Sequence, residues 1–340
     1  MTIRRTFLKL AAASAIAGLT TTVHAQEPVP VVATFSILGD IVERVGGDAV
    51  NVTTLVGRNG DTHVYQPTPS DAKAVKRATL MFTNGLEFEG WLERLAEAAE
   101  FDGQTVVTTN GLDLISLEEH HDDEHDDADS KEHHDEASED ENHKDEHSDD
   151  EHGGDGHHDH GEFDPHGWLS LQNAVVYVDN ITAALAKAAP ASATLFYQNR
   201  ADYVAEIEQL DQEIKMLIAA LPENARTIVT SHDAFQYFGR DYGLTFLAPQ
   251  GLSTESEASA HDVAALIKQI RSEGISAVFV ENVANPRLLQ QIARETGSAI
   301  GGELFPGALS DKSGPAASYL ELMWHNATTI TQALSEAKSQ

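Results

Sequence analysis

Between residues 118 and 162 the chain carries only two apolar side chains, Ala128 and Ala137. The same stretch holds 22 acidic residues, two lysines and 11 of the chain's 17 histidines. A segment this poor in apolar surface cannot offset the entropy of ordering, so it is expected to be disordered. Core-type patterning resumes at Phe163, which makes residues at about 116–163 an insertion within a fold. Closing such a loop costs little, because loop entropy grows only logarithmically with length. The folded body must therefore be assembled from the two flanks. Of the formal charge of −33, the stretch accounts for −20. The remainder is that of an ordinary globular protein. A chain this acidic is repelled by nucleic acid and by anionic membrane surfaces, so neither is an expected partner.

The chain opens on an export address. Arg4, Arg5 and Lys9 precede a weakly apolar run over 10–19, and Val23-His24-Ala25 has the small-residue pattern of a signal-peptidase site. Cleavage is expected after Ala25. Arg4-Arg5-Thr6-Phe7-Leu8-Lys9 resembles a twin-arginine signal, although Ile3 departs from the Ser or Thr usual before the arginine pair. The apolar run is too short for a permanent membrane span. The chain has no cysteine, which excludes disulfides, thiolate metal sites, cysteine nucleophiles and a lipidated-cysteine anchor. The expectation is a periplasmic, soluble, unanchored and monomeric product.

From Pro30 onward, short apolar runs alternate with amphipathic segments. Strands are expected over 31–35, 50–55, 80–83, 106–109, 228–231, 245–248, 277–281 and 298–304. Helices are expected over 37–45, 69–78, 88–99, 171–189, 261–272, 286–296 and 316–337. Strand–helix alternation argues for α/β architecture with parallel sheets flanked by helices. Four strands before the insertion and four after residue 225 suggest two similar lobes. Between them, 191–221 has no internal Gly or Pro, and Phe196, Tyr203, Ile207, Leu210, Ile214, Leu217 and Leu221 fall on one helical face. Such a helix is roughly 45 Å long, enough to join two lobes. The expected division is a leader over 1–25, an N-terminal lobe over 26–190, a linking helix over 191–221 and a C-terminal lobe over 222–340.

Outside the leader and the insertion five histidines remain. His63 lies in the turn-rich loop after the second strand, His166 in Asp164-Pro165-His166 ahead of a helix, and His232 directly after a strand. Ligands in open α/β sheets bind beyond the carboxyl ends of strands, so His63 and His232 are placed to converge from opposite lobes. Any one alone reads as a structural histidine; the three together point to a metal site. His261 and His325 lie in helical contexts and are not expected to ligate.

Five motifs carry a resemblance. The run from His63 through Tyr65, Pro67, Pro69, Ser70 and Asp71 is followed by Asp164-Pro165-His166 and Ser231-His232-Asp233-Ala234-Phe235. Then come Gly251-Leu252-Ser253-Thr254-Glu255-Ser256-Glu257 and Leu309-Ser310-Asp311 with Gly314-Pro315. In this order they resemble the motifs of the periplasmic solute-binding proteins of zinc and manganese ABC importers, the cluster A-I group. The resemblance implies two lobes joined by one backbone helix, a single metal ion in the cleft, and the ligand set His63, His166, His232 and Asp311. Thr62 stands where many members carry Pro or Glu and is given no role; Glu255, Glu257 and Glu281 are left without a ligand role. Three imidazoles and a carboxylate suit tetrahedral Zn²⁺. Manganese-importing relatives are expected to place Glu at the position of His232, so His232 favours zinc.

The implied function is capture of Zn²⁺ for an inner-membrane ABC permease and its ATPase, with a periplasmic zinc chaperone as a further partner and no enzymatic activity. A manganese or mixed-metal binder of the same group is the nearest alternative. Against a zinc hydrolase, Asp311 is expected to occupy the fourth position and the chain has no His-Glu-x-x-His helix or nucleophile elbow; a storage or chaperone protein needs no bilobed scaffold. The insertion histidines His120, His121, His125, His133, His134, His143, His147, His152, His157, His158 and His160 are expected to form weak auxiliary zinc sites.

Overall fold

The computed structural model of the chain describes residues 27–117 and 162–336. The leader, the eleven insertion histidines and the last four residues lie outside the described residues. The N-terminal half runs β1 (Val29–Phe35), α1 (Ser36–Gly46), β2 (Val50–Val56), α2 (Pro69–Arg77), β3 (Leu80–Thr83), α3 (Leu92–Ala98) and β4 (Gln104–Val107). After the insertion come α4 (Leu171–Ala188) and the long α5 (Ala193–Ala219). The C-terminal half continues with β5 (Thr227–Val229), α6 (Gln236–Tyr242), β6 (Thr245–Leu247), α7 (Ala260–Glu273), β7 (Ala277–Glu281), α8 (Arg287–Thr296), β8 (Ala299–Leu304) and α9 (Tyr319–Glu336).

The strands form two four-stranded parallel sheets of matching order, β2-β1-β3-β4 and β6-β5-β7-β8. In both, the order reverses beside the first strand, which opens a crevice at the carboxyl ends. Successive side chains on a strand face opposite ways, and the C-terminal sheet uses this to serve two cores. Ile228, Ala277 and Phe279 enter a large cluster that also contains Val31, Val32 and Phe82 of the N-terminal sheet. Val229 and Val278 point to the other face and pack with Leu266, Ile270, Leu289 and Ile292 of α7 and α8. The two lobes are thus fused through one continuous apolar core. Helix α5, about 40 Å long at 1.5 Å per residue, runs along α1 and α4 of one lobe and α6 and α9 of the other. Its buried face is Phe196, Tyr203, Val204, Ile207, Leu210, Ile214 and Ile218.

Three elements depart from the sequence expectation. The helix expected over 88–99 begins only at Leu92, because Gly85, Leu86 and Glu87 all take positive φ (86°, 54° and 61°) and form a left-handed turn ahead of it. The buried Glu89 carboxylate fixes that turn by accepting from the backbone N–H groups of Asn84 (2.8 Å) and Gly85 (3.2 Å) and from Thr34 Oγ1 (2.6 Å). The strand expected over 106–109 sits two residues earlier, pairing Gln104 with Leu80. Helix α6 has no counterpart among the expected helices: it lacks a side-chain N-cap and ends at Gly243, whose φ is 70°. Its burial of Tyr237, Phe238 and Tyr242 supplies what local signals do not. No helix among the described residues is long and apolar enough to cross a membrane.

Candidate metal centre

Each of the three histidines follows a short, locally enforced turn. The loop after β2 is folded by Asp61, whose Oδ1 accepts from the His63 backbone N–H at 3.0 Å. Trp91 Nε1 donates to the Thr62 carbonyl at 2.9 Å and ties this loop to the start of α3. Beyond it, Thr68 and Asp71 form a reciprocal capping box on α2, and Tyr65 donates to Asp71 at 2.8 Å. His166 is held by the carboxylate two residues before it: Asp164 Oδ1 accepts from both the His166 backbone N–H (2.9 Å) and its Nδ1 (2.8 Å). Asn84 donates to the Pro165 carbonyl at 2.8 Å and accepts from the Tyr177 hydroxyl at 2.5 Å, bracing the same turn from β3 and α4. His232 lies beyond β5, where Ser231 and His232 direct their N–H groups to Glu281 Oε1 at 2.8 and 3.2 Å. Glu281 Oε2 then accepts from His232 Nδ1 at 2.5 Å.

The three imidazoles converge. Ring centroids lie 5.6 Å apart for His63–His166, 5.9 Å for His63–His232 and 5.4 Å for His166–His232. One nitrogen from each lies within 4.8 Å of the other two. Around a tetrahedral zinc, with nitrogens at about 2.0–2.1 Å, neighbouring donors stand roughly 3.3 Å apart. Contraction of the cup by side-chain motion of about 1.5 Å or less would bring the three nitrogens to that spacing. Carboxylates can only accept, so the Nδ1 atoms of His166 and His232 carry their protons and Nε2 of each presents its lone pair. His166 Nε2 is buried with no hydrogen-bond partner among the described residues, an uncompensated polar atom of the kind a bound cation satisfies. This carboxylate–imidazole pairing is the outer shell that orients metal-ligating histidines.

Electrostatics separate the three rings. Burial, followed by the proximity of the other rings, holds His63 well below the ordinary histidine value. Burial and then His232 do the same to His166. His232 is opposed by burial too, yet the Glu281 carboxylate carries it above the ordinary value. Phe88 packs edge-on against His63 at 4.9 Å and Trp168 against His166 at 5.3 Å, completing an apolar wall.

Asp311 does not join this group. Among the described residues the cup consists of His63, His166 and His232 only. The Asp311 loop after β8 is held by bonds of its own: Ser310 N donates to the Ala316 carbonyl and Gly314 N to the Asp311 carbonyl. Arg58 anchors the carbonyls of Ser310 and Ala317, each at 2.8 Å. The turn leaves the Asp311 side chain exposed, lining a separate cavity with Asn59, Asn282 and Glu303. His261 is exposed, and His325 is engaged at 3.0 Å with the Glu303 carbonyl. Sequence reasoning named Asp164 only as part of its motif, left Glu281 without a ligand role and did not single out Asn84. For Asp164 a local signal existed, since a carboxylate two residues before a histidine can reach both its backbone and Nδ1. For Glu281 there was none, because its partner is 49 residues away.

A two-lobed parallel α/β scaffold with a nitrogen-lined cup between its lobes is suited to holding a transition-metal ion. Residues 31–333 match the family described as the zinc-uptake complex component A, periplasmic, and the chain belongs to that family. It is 31% identical over 316 residues to the manganese-binding lipoprotein MntA of Bacillus subtilis, covering 91% of each chain. It is 28% identical over 312 residues to the iron ABC transporter substrate-binding lipoprotein MtsA of Streptococcus pyogenes, covering 90% of this chain and 89% of that protein. Among solved structures, the periplasmic zinc-binding protein TroA of Treponema pallidum superposes with a TM-score of 0.75 at 27% identity, covering 91% of this chain and 99% of TroA. The Mn-bound periplasmic metal-binding protein from Candidatus Liberibacter asiaticus gives 0.71 at 29% identity, covering 89% of this chain and 98% of that one. The chain is therefore an extracytoplasmic metal-binding component of an ABC transporter, which implies a permease and an ATPase as partners.

Proposed function

We propose that the protein captures Zn²⁺ through His63, His166 and His232 and delivers it to the membrane permease of a zinc importer. The observation that carries this reading is the donor set: three imidazole nitrogens converge, and each carboxylate of the cup's wall is engaged by an imidazole or by backbone. Neutral nitrogen donors suit zinc, whereas Mn²⁺ is better served by oxygen. The second reading, a manganese or mixed-metal receptor, is favoured by relatives named for manganese and iron. We further read 1–25 as an export leader whose product is unanchored, and the insertion histidines as weak zinc collectors that feed the cup. Elemental analysis of protein isolated from its native compartment, with competitive titration of Zn²⁺ against Mn²⁺ and Fe²⁺, tests the assignment. One equivalent of zinc is expected, displaced by no comparable concentration of Mn²⁺. Manganese in the isolated protein together with equal affinities would reject it.

A further inference from the structure

The chain re-enters the fold after the insertion through a short antiparallel ribbon. Leu117 N donates to the Glu162 carbonyl at 3.1 Å, Ser116 faces Phe163, and Asp164 N donates to the Ile115 carbonyl at 3.0 Å. In a regular ladder the Ile115–Asp164 pair exchanges two bonds, so the Ile115 N–H is due to meet the Asp164 carbonyl. Instead the Tyr237 hydroxyl of α6 stands between them, accepting from Ile115 N at 3.2 Å and donating to the Asp164 carbonyl at 2.9 Å. At a roughly tetrahedral angle on that oxygen the two backbone groups are held about 5 Å apart, where a direct bond needs about 2.9 Å. The ladder is thus wedged open two residues before His166.

The wedge is firmly seated. Tyr237 is fully buried, and burial, opposed by the Ile115 bond, pushes its hydroxyl up to about 12, so it keeps the proton that it donates. Arg240, on the same helix, lies over the Tyr237 ring at 5.1 Å and donates to the Asp113 carbonyl at 3.1 Å. Its neighbour Asp241 accepts from the hydroxyl of Ser170, the N-cap of α4. One helix of the C-terminal half therefore grips the N-terminal half on both sides of His166.

We propose that Tyr237 is a positioning residue for His166: its hydroxyl, spliced into the ladder, sets the path of Asp164, whose carboxylate in turn aims the imidazole. Without the hydroxyl, the Ile115 N–H and the Asp164 carbonyl close on each other, drawing Asp164 about 2 Å toward the ribbon, or stay buried and unpaired. Either outcome disturbs the carboxylate that holds Nδ1. The bearing on metal capture rests on the three-histidine reading above; the aim of the ring does not.

The test compares, in the full chain, Tyr237→Phe with Tyr242→Phe, which removes a buried hydroxyl on the same helix that bonds Asp211 of α5. In metal-stripped protein carrying isotope-labelled histidine, the His166 Nδ1–H resonance is followed by NMR and assigned by its loss in His166→Ala. Tyr237→Phe should shift this resonance and speed its exchange with water at least about ten-fold. Zinc affinity, read against a chromophoric chelator, should fall about ten-fold. Tyr242→Phe should leave the resonance in place and the affinity within about two-fold. An unmoved resonance in Tyr237→Phe, or an equal disturbance by Tyr242→Phe, overturns the proposal. So does unchanged zinc affinity in Tyr237→Phe where His166→Ala abolishes tight binding. If His166→Ala also leaves zinc tightly bound, the three-histidine reading has failed instead, and the resonance alone decides the role of Tyr237.

Discussion

Replacing Glu281 by Gln isolates the outer shell of the cup. The carboxylate accepts three hydrogen bonds, two from backbone N–H groups and one from His232 Nδ1. Gln keeps the shape but has one acceptor oxygen, so an amide N–H must face either the backbone donors or Nδ1. His232 then loses its fixed tautomer and the charge that makes its Nε2 a strong donor. Loss of such a partner costs about 10–100-fold in metal affinity, or roughly 1.4–2.7 kcal/mol. The same carboxylate raises the affinity of His232 for a proton, and that proton competes with the metal. The penalty should therefore be largest near pH 8 and shrink toward pH 6, where the unmodified protein is handicapped by its own protonated His232. Competition with a chromophoric chelator at both pH values measures this, with the exposed Glu257→Gln as control. A change below about three-fold at pH 8, or a penalty that grows on acidification, would refute the account of Glu281.

His166→Ala should weaken tight zinc binding by orders of magnitude, whereas His261→Ala and His325→Ala leave it within about two-fold, since neither lies in the cup; equal losses in titration calorimetry would contradict the assignment. In the metal-free protein, His63 and His166 resist protonation, so their contribution is present above the unfolded value near 6.5 and is lost as pH falls below it. His232, raised, adds stability below that value and loses it as pH rises through its folded pKa. About a pH unit below 6.5, where unfolded histidines are nearly fully protonated, the unfolded chain holds close to two protons more than the folded one from this trio, a limiting loss of about 2.7 kcal/mol per pH unit. Urea unfolding from pH 6.5 to 5.5 should show a slope that steepens toward that limit, and the double change His63→Gln/His166→Gln should remove it. Asn84→Ala strips partners from the buried Tyr177 hydroxyl and the Pro165 carbonyl and should cost about 2–4 kcal/mol, with lower metal affinity because the His166 turn loosens. Removing 119–161 should leave one tight zinc per molecule and eliminate weaker binding in equilibrium dialysis; loss of the tight site from a folded deletion protein would place the insertion in the cup.

Much of this architecture was legible because it is written in local pattern. The strands over 31–35, 80–83 and 277–281 are continuous apolar runs, as strands buried on both faces must be, and α2 announces itself by Thr68-Pro69-Ser70-Asp71. The convergence of His63 and His232 followed from their place beyond strand ends. What escaped was set by distance along the chain. Glu281 is a site residue only because β7 lies beside β5, and α6 is a helix because neighbouring aromatics cover it. Asp311 is the opposite case: its motif suggests a ligand, while hydrogen bonds within 310–316 and to Arg58 set the position of its loop in this structure. The left-handed turn at 85–87 was hidden by ordinary-looking Leu86 and Glu87, held there by Glu89 rather than by their own preferences.

The continuous core shared by the lobes bears on how a transporter could tell a loaded receptor from an empty one. A wide hinge rotation would have to tear apart the cluster that contains Phe82 of one sheet and Phe279 of the other, exposing apolar surface at about 25 cal/mol for every Å². One metal ion, whose coordination energy is already drawn on to gather three imidazoles, is poorly matched to that expense. Occupancy must then be broadcast through small parts: the setting of the His63 loop and the Asp61–Thr254 contact that crosses the cleft at 2.5 Å. A permease facing such a receptor reads a change in the texture of a nearly constant surface, and empty receptors compete for the same dock. Uptake at low metal should accordingly fall when receptor is made in large excess over permease, the signature of a carrier whose two states look alike to its partner.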